Sequence, residues 1–125
     1  MSTLMIRLAA IYFVIGVGLG IYMAATKNFG LMPVHAHINL LGWVSLALAG
    51  LIYKLWPRAS KTRLALAHVA LYNTGLPLMF VALALFFSGV PQAEPIIGIG
   101  GTLVGLGVVS LALNILLNIG TGDSA

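Results

Sequence analysis

The chain has 125 residues, 61% of them hydrophobic and 6% charged, with a mean hydropathy of +1.11. A soluble domain carries about 25% charged residues, so a soluble globular protein is excluded. The net charge of +4 does not indicate nucleic acid, because the basic residues gather at one short loop; the absence of cysteine excludes disulfides, zinc–thiolate sites, iron–sulfur clusters and thioether-linked haem.

About 30 Å of hydrocarbon needs about 20 residues of helix. Four apolar runs meet this length, at about 4–25, 34–56, 64–88 and 95–119. The breaks between them are Lys27-Asn28-Phe29-Gly30, Pro57-Arg58-Ala59-Ser60-Lys61 and Pro91-Gln92-Ala93-Glu94-Pro95. The fold class is therefore all-α: a single four-helix transmembrane domain over 1–125 with three short loops. Lys54, Arg58, Lys61 and Arg63 mark a cytoplasmic loop, and Arg7 lies on the same side. Both termini are expected in the cytoplasm, in a multi-pass protein of the bacterial inner membrane surrounded by lipid. The first run is too long, and lacks the cleavage region, for a signal peptide; it reads as a retained helix.

Segment 1 carries Phe13, Gly16 and Gly20 on one stripe, and segment 4 carries Gly98, Gly101, Gly105 and Ala112. Gly16-x3-Gly20 and Gly101-x3-Gly105 are small-xxx-small patterns, which let helix backbones approach in lipid, and packing is their ordinary meaning. In segment 3, Gly75 and Pro77 predict a kink, since Pro77 removes a backbone donor. Asn73 stands where it can satisfy a carbonyl freed nearby. No internal repeat is visible.

Segment 2 opens with Val34-His35-Ala36-His37-Ile38-Asn39. At about 100° per residue, His35, Asn39, Gly42, Leu46, Gly50 and Tyr53 share a face that is polar or small and should meet protein or cofactor. His37 lies about 200° away, with Leu41, Val44, Leu48 and Leu55. A histidine at a membrane edge is often a headgroup contact; two in three residues, with Asn39, point to a site instead. One helix cannot easily give both rings to a single metal, but it can give one to each of two sites. Haem iron takes two axial imidazoles on opposite sides of a flat macrocycle, and Gly42 and Gly50 offer room beside one. Copper is the rival cofactor, because Met32 sets a thioether beside the two imidazoles. His68 starts a second stripe with Tyr72, Gly75 and Met79, at a depth on the order of 20 Å from the pair. It reads either as an interfacial or hydrogen-bonding residue, or as a secondary ligand, proton or quinol contact. Trp43, Tyr53 and Tyr72 are aromatic residues that ordinarily pack.

The spacing His35-x-His37-x12-Gly50-x6-Pro57 resembles haem-copper oxidase subunit I. It is similar to that family's tenth helix, whose H-x-H serves two haems, and also to its second helix, which supplies the other axial ligand of the low-spin haem. The likeness covers about 24 residues. The family's subunit has twelve helices in three four-helix arcs, and three copies of this chain would supply twelve. The resemblance thus implies a cyclic homotrimer with haem b at each boundary, bound by His35 of one copy and His37 of the next. A closed ring of heterologous interfaces permits this. Three histidines are too few for an oxidase's copper and two haems, so a complete oxygen-reducing enzyme is not expected. Four functions stay open: an electron carrier or haem/redox sensor with a respiratory-chain partner, a minimal gas-reducing haem enzyme, a copper or haem handling factor for oxidase assembly, and a structural subunit that binds nothing.

Overall fold

A computed structural model describes residues 1–120 of the chain. Four long helices, each long and apolar enough to cross a membrane, make up nearly all of it: α1, Ser2–Thr26; α2, Met32–Leu55; α3, Arg63–Phe87; and α4, Glu94–Asn118. Their ends fall within two residues of the sequence expectation. The reasons are local. Lys27 takes a left-handed conformation (φ 52°) to end α1, and Pro33 sits in the first turn of α2, where its missing N–H costs nothing. The Thr62 hydroxyl caps α3 by accepting the Ala65 N–H at 3.0 Å. Gly89, at φ 99°, turns the chain after α3.

Neighbours in sequence are neighbours in space: α1 packs on α2, α2 on α3, and α3 most closely on α4. Among the described residues α1 and α4 share no comparable contact, so the helices form an open row. Only 17% of the apolar window in each of these outer helices is buried within the chain.

The α3–α4 pair is close because glycines face each other. A Cβ on Gly75 would lie 2.7 Å from the Gly100 carbonyl oxygen, and one on Gly107 would lie 3.0 Å from the Tyr72 nitrogen. The helix α3 runs through Gly75 and Pro77 without a break, and Gly75 serves close approach to α4. The stripe expected to pack, Gly98-Gly101-Gly105-Ala112, is instead the outward one. Gly98 and Gly105 would meet nothing within 4 Å, and Gly101 only the Met79 sulfur at 3.9 Å. The inward stripe is Gly100, Val104, Gly107 and Asn114. Asn114 decides the matter: its side chain is fully buried, accepting from Thr62 Oγ1 at 2.8 Å and donating to the Ala59 carbonyl at 2.9 Å. An unpaired amide facing lipid is costly, so the face carrying Asn114 turns inward and takes Gly100 and Gly107 with it. Asn114→Ala removes the amide from the half-buried Thr62 hydroxyl and from the Ala59 carbonyl, which keep only their own 3.1 Å bond to each other. It is expected to lower stability by about 1–3 kcal/mol, read as a fall in detergent melting temperature.

The second helix is not uniform. Met32–His37 is α-helical, Ile38–Ser45 is a π-helix, and Leu46–Leu55 is α-helical again. Its buried positions Val34, Ile38, Gly42 and Leu46 recur every four residues. In an α-helix that spacing drifts by about 40° each step, and the wider π turns drift the opposite way by a similar amount, so the mixed helix keeps the four positions on one side. Two side chains mark the altered ladder. Ser45 donates to the Leu40 carbonyl five residues back at 2.8 Å, and Tyr72 of α3 donates to the Leu41 carbonyl at 2.9 Å.

Candidate functional site

His35 and His37 lie in the last α-helical turn before the π segment. His35 is half-buried and faces α1, where Gly16 and Gly20 leave room for it. A Cβ on Gly20 would lie 2.8 Å from His35 Cε1, and one on Gly16 would lie 2.6 Å from Asn39 Oδ1. The Gly16-x3-Gly20 pattern therefore admits two polar side chains of α2 into its notch. His37 is exposed on another face of α2, beside exposed Leu40 and Val44.

The hydrogen bonds decide which ring nitrogen is free. His35 Nδ1 lies 2.8 Å from the Gly16 carbonyl oxygen and 3.2 Å from Asn39 Nδ2. Asn39 Nδ2 also donates to the His35 carbonyl at 2.9 Å, which fixes the orientation of that amide. The shorter contact is with a carbonyl, which can only accept, so Nδ1 carries the proton and donates to Gly16. His37 Nδ1 lies 2.7 Å from the Pro33 carbonyl and donates to it by the same argument. In both rings Nε2 then keeps its lone pair. This is the arrangement of a metal-ligating imidazole, whose second nitrogen donates to a carbonyl that holds the ring in place.

Gly42 and Gly50, expected beside a cofactor, face protein. A Cβ on Gly42 would meet Tyr12 Cγ at 2.8 Å and Phe80 Cε2 at 3.2 Å. One on Gly50 would meet Ile6 at 2.9 Å and the Ser2 carbonyl at 3.1 Å. The reason is the inward turn of α2, whose small residues admit α1 closely. A macrocycle on these histidines must therefore lie on the outer surface of the chain. His37 fits such a position with its exposed ring, whereas the His35 ring lies against Gly20 of α1, a Cβ there being 3.5 Å from its Nε2. Further along the same pair of helices Phe13 and Trp43 stack at 4.5 Å and 21°. Among the described residues no three His, Cys, Asp or Glu side chains converge. The donor set is one imidazole per face.

His68 belongs to a different place. It is 1% exposed, between α2 and α3, with Nδ1 2.9 Å from the Tyr53 hydroxyl and its ring 5.3 Å from that of Tyr72. Tyr53 is eighteen residues after His35, on the order of 25 Å along the helix axis. Of the expected stripe, Tyr72 touches His68, while Met79 packs against Gly100 of α4. The Tyr53–His68 pair was not legible, because it joins two helices. Tyr53→Phe leaves a buried imidazole nitrogen without its partner. A loss of about 1–3 kcal/mol is expected in thermal melting, and an unchanged melting curve would show that the pair contributes nothing.

Comparison of the chain with family models, with curated proteins and with solved structures returns no match.

Proposed function

We propose that this chain is a haem b-binding membrane protein, with His35 and His37 as axial ligands donated by adjacent copies, serving electron transfer or redox sensing. The observation that carries the reading is the pair of imidazoles one residue apart, each with Nδ1–H given to a backbone carbonyl. Each is left with an Nε2 lone pair on a different face of one helix. Haem bound there would take and release one electron at a time, and two imidazole ligands leave no open position for a gas. The chain's own residues do the positioning. The Gly16 and Pro33 carbonyls set the tautomers, Asn39 holds the amide beside His35, and Gly20 clears the space in which the His35 ring turns.

The cyclic trimer is part of this proposal, and so is its sidedness. An open row with lightly buried outer helices, and an exposed His37, support association through those faces. The basic loop and Arg7 support termini on the cytoplasmic side. The resemblance to an oxidase arc supports the count of three.

The test is an optical spectrum and an assembly mass for the protein purified from haem-replete cells in mild detergent. The expected result is a six-coordinate, low-spin haem b with no rapid carbon monoxide binding, in a particle of three 13.1 kDa chains. A colourless preparation ends the reading. Retained copper without haem transfers it to metal handling, with Met32 as the third donor, and rapid carbon monoxide binding transfers it to gas chemistry.

A further inference from the structure

The connection between α2 and α3 forms a pinned corner. Its turn, Ala59–Lys61, packs against α2, α3 and α4. Ala59 is fully buried, and its carbonyl accepts from Asn114 of α4 at 2.9 Å. Thr62 Oγ1 donates to the same amide at 2.8 Å. Three exposed cations stand on this corner: Lys54 in the last turn of α2, Lys61 at the end of the turn and Arg63 at the start of α3. Their side chains have no hydrogen-bond or ion-pair partner among the described residues. The chain's two carboxylate side chains are Glu94 and Asp123. Glu94 lies at the far end of α4 from Asn114, and Asp123 is outside the described residues. Like charges gathered on a fixed backbone repel, so an anion brought among them is stabilised.

The neighbours of these cations say what kind of anion fits. Leu51 lies three residues before Lys54 on α2, and Leu66 three residues after Arg63 on α3, spacings that set each pair side by side on its helix. Leu51 is 46% exposed and Leu66 62%. The helix α2 ends at this corner and α3 begins at it. On both, the leucine therefore lies about 4.5 Å further from the helix end than the cation, at about 1.5 Å per residue. Charge stands at the rim and an apolar side chain just beneath it, on two neighbouring helices. A nucleic acid or an acidic peptide would match the charge and leave the leucines uncovered. An anionic phospholipid has the same vertical order, with phosphate at the rim and acyl chain below. Trp56, half-buried and between Lys54 and Lys61 in sequence, is a residue type of the headgroup layer.

We infer that this corner binds an anionic glycerophospholipid with two phosphates, of the diphosphatidylglycerol type. Its headgroup pairs with Lys54, Lys61 and Arg63 while its acyl chains lie along Leu51 and Leu66. Two phosphates on one molecule match three cations better than separate singly charged lipids do, because the second contact forms without a second binding event. The site stands at the opposite end of α2 from His35 and His37 and does not depend on haem.

The experiment is native mass spectrometry of the full-length protein in neutral detergent, titrated with diphosphatidylglycerol or with phosphatidylglycerol at equal phosphate. The expected result is a single diphosphatidylglycerol retained per chain, at least about tenfold more tightly than phosphatidylglycerol. Lys61→Gln together with Arg63→Gln should weaken it about 25-fold, each cation beside an anionic headgroup being worth about fivefold. Lys27→Asn removes a cation at the other end of the molecule, where asparagine tolerates the left-handed backbone, and should leave binding unchanged. Circular dichroism checks that each variant stays helical, and the wild-type comparison of the two lipids decides by itself if a variant does not fold. Equal retention of the two lipids at equal phosphate, binding that survives the double glutamine change, or a loss with Lys27→Asn as large as with that change overturns the proposal. So does retention of glycerophosphate, which has the charge and no chains, as tightly as of the lipid.

Discussion

Replacing either His35 or His37 by alanine is expected to abolish the six-coordinate low-spin haem spectrum and to reduce haem retention at least about tenfold. An axial imidazole is lost in each case, and effects of this order follow even from changes to the partners of metal ligands. The two variants are expected to behave alike because each copy would give one ring to each of two haems. Neither change should unfold the chain. His37 is exposed, and the bond its ring loses is to a carbonyl of its own helix. His35 is half-buried in the α1–α2 notch, and its removal costs one contact to the Gly16 carbonyl. Helix content by circular dichroism should therefore hold while the Soret band goes. An unaltered spectrum in either variant rules out sharing of both ligands between copies, whatever the other variant does. A milder change tests the positioning argument. Gly20→Ala puts a methyl 2.8 Å from His35 Cε1, so the ring must move and the spectrum should shift to mixed spin.

Gly100→Val is expected to be strongly destabilising, at about 3 kcal/mol, read by thermal or denaturant melting in detergent. Even the first added carbon would lie 2.6 Å from the Met79 nitrogen and 2.9 Å from its Cα. Backbone atoms cannot rotate aside, so α3 and α4 must separate, and overpacking of this kind typically costs about 1–3 kcal/mol or more. Gly105→Val is the internal control. It stands on the opposite stripe with nothing within 4 Å, and a change within about 0.5 kcal/mol is expected. If the two variants melted alike, the register of α4 against α3 would have to be abandoned.

The spans, their ends and the loops were legible because each follows from the composition of a window or from one turn residue. Pro57, Pro91 and Pro95 lie in the breaks and act on their own neighbours, and no distant contact is needed to read them. The face arithmetic for His35 and Asn39 was also sound as far as it went: both do point at protein. It failed to see the π segment, since the only trace of one in the chain is the four-residue spacing of Val34, Ile38, Gly42 and Leu46. Their inward direction is known only once α1 and α3 are in place. The free ring nitrogens were equally invisible, because the acceptor for His35 is a carbonyl nineteen residues earlier.

By itself the sequence determined that the chain is four apolar helices with short loops, with two adjacent imidazoles near one end of the second. Length, hydropathy and turn chemistry are local properties, and they act wherever the chain goes. Only the tertiary structure decided which of two glycine stripes on α4 meets α3. Both satisfy the same spacing rule, and the choice turned on Asn114 finding Thr62 and the Ala59 carbonyl fifty-two and fifty-five residues away. The same holds for Gly16 and Gly20, whose empty space acquires meaning only when His35 and Asn39 fill it. A small residue specifies an absence, and what enters it is set by the neighbour that packing brings.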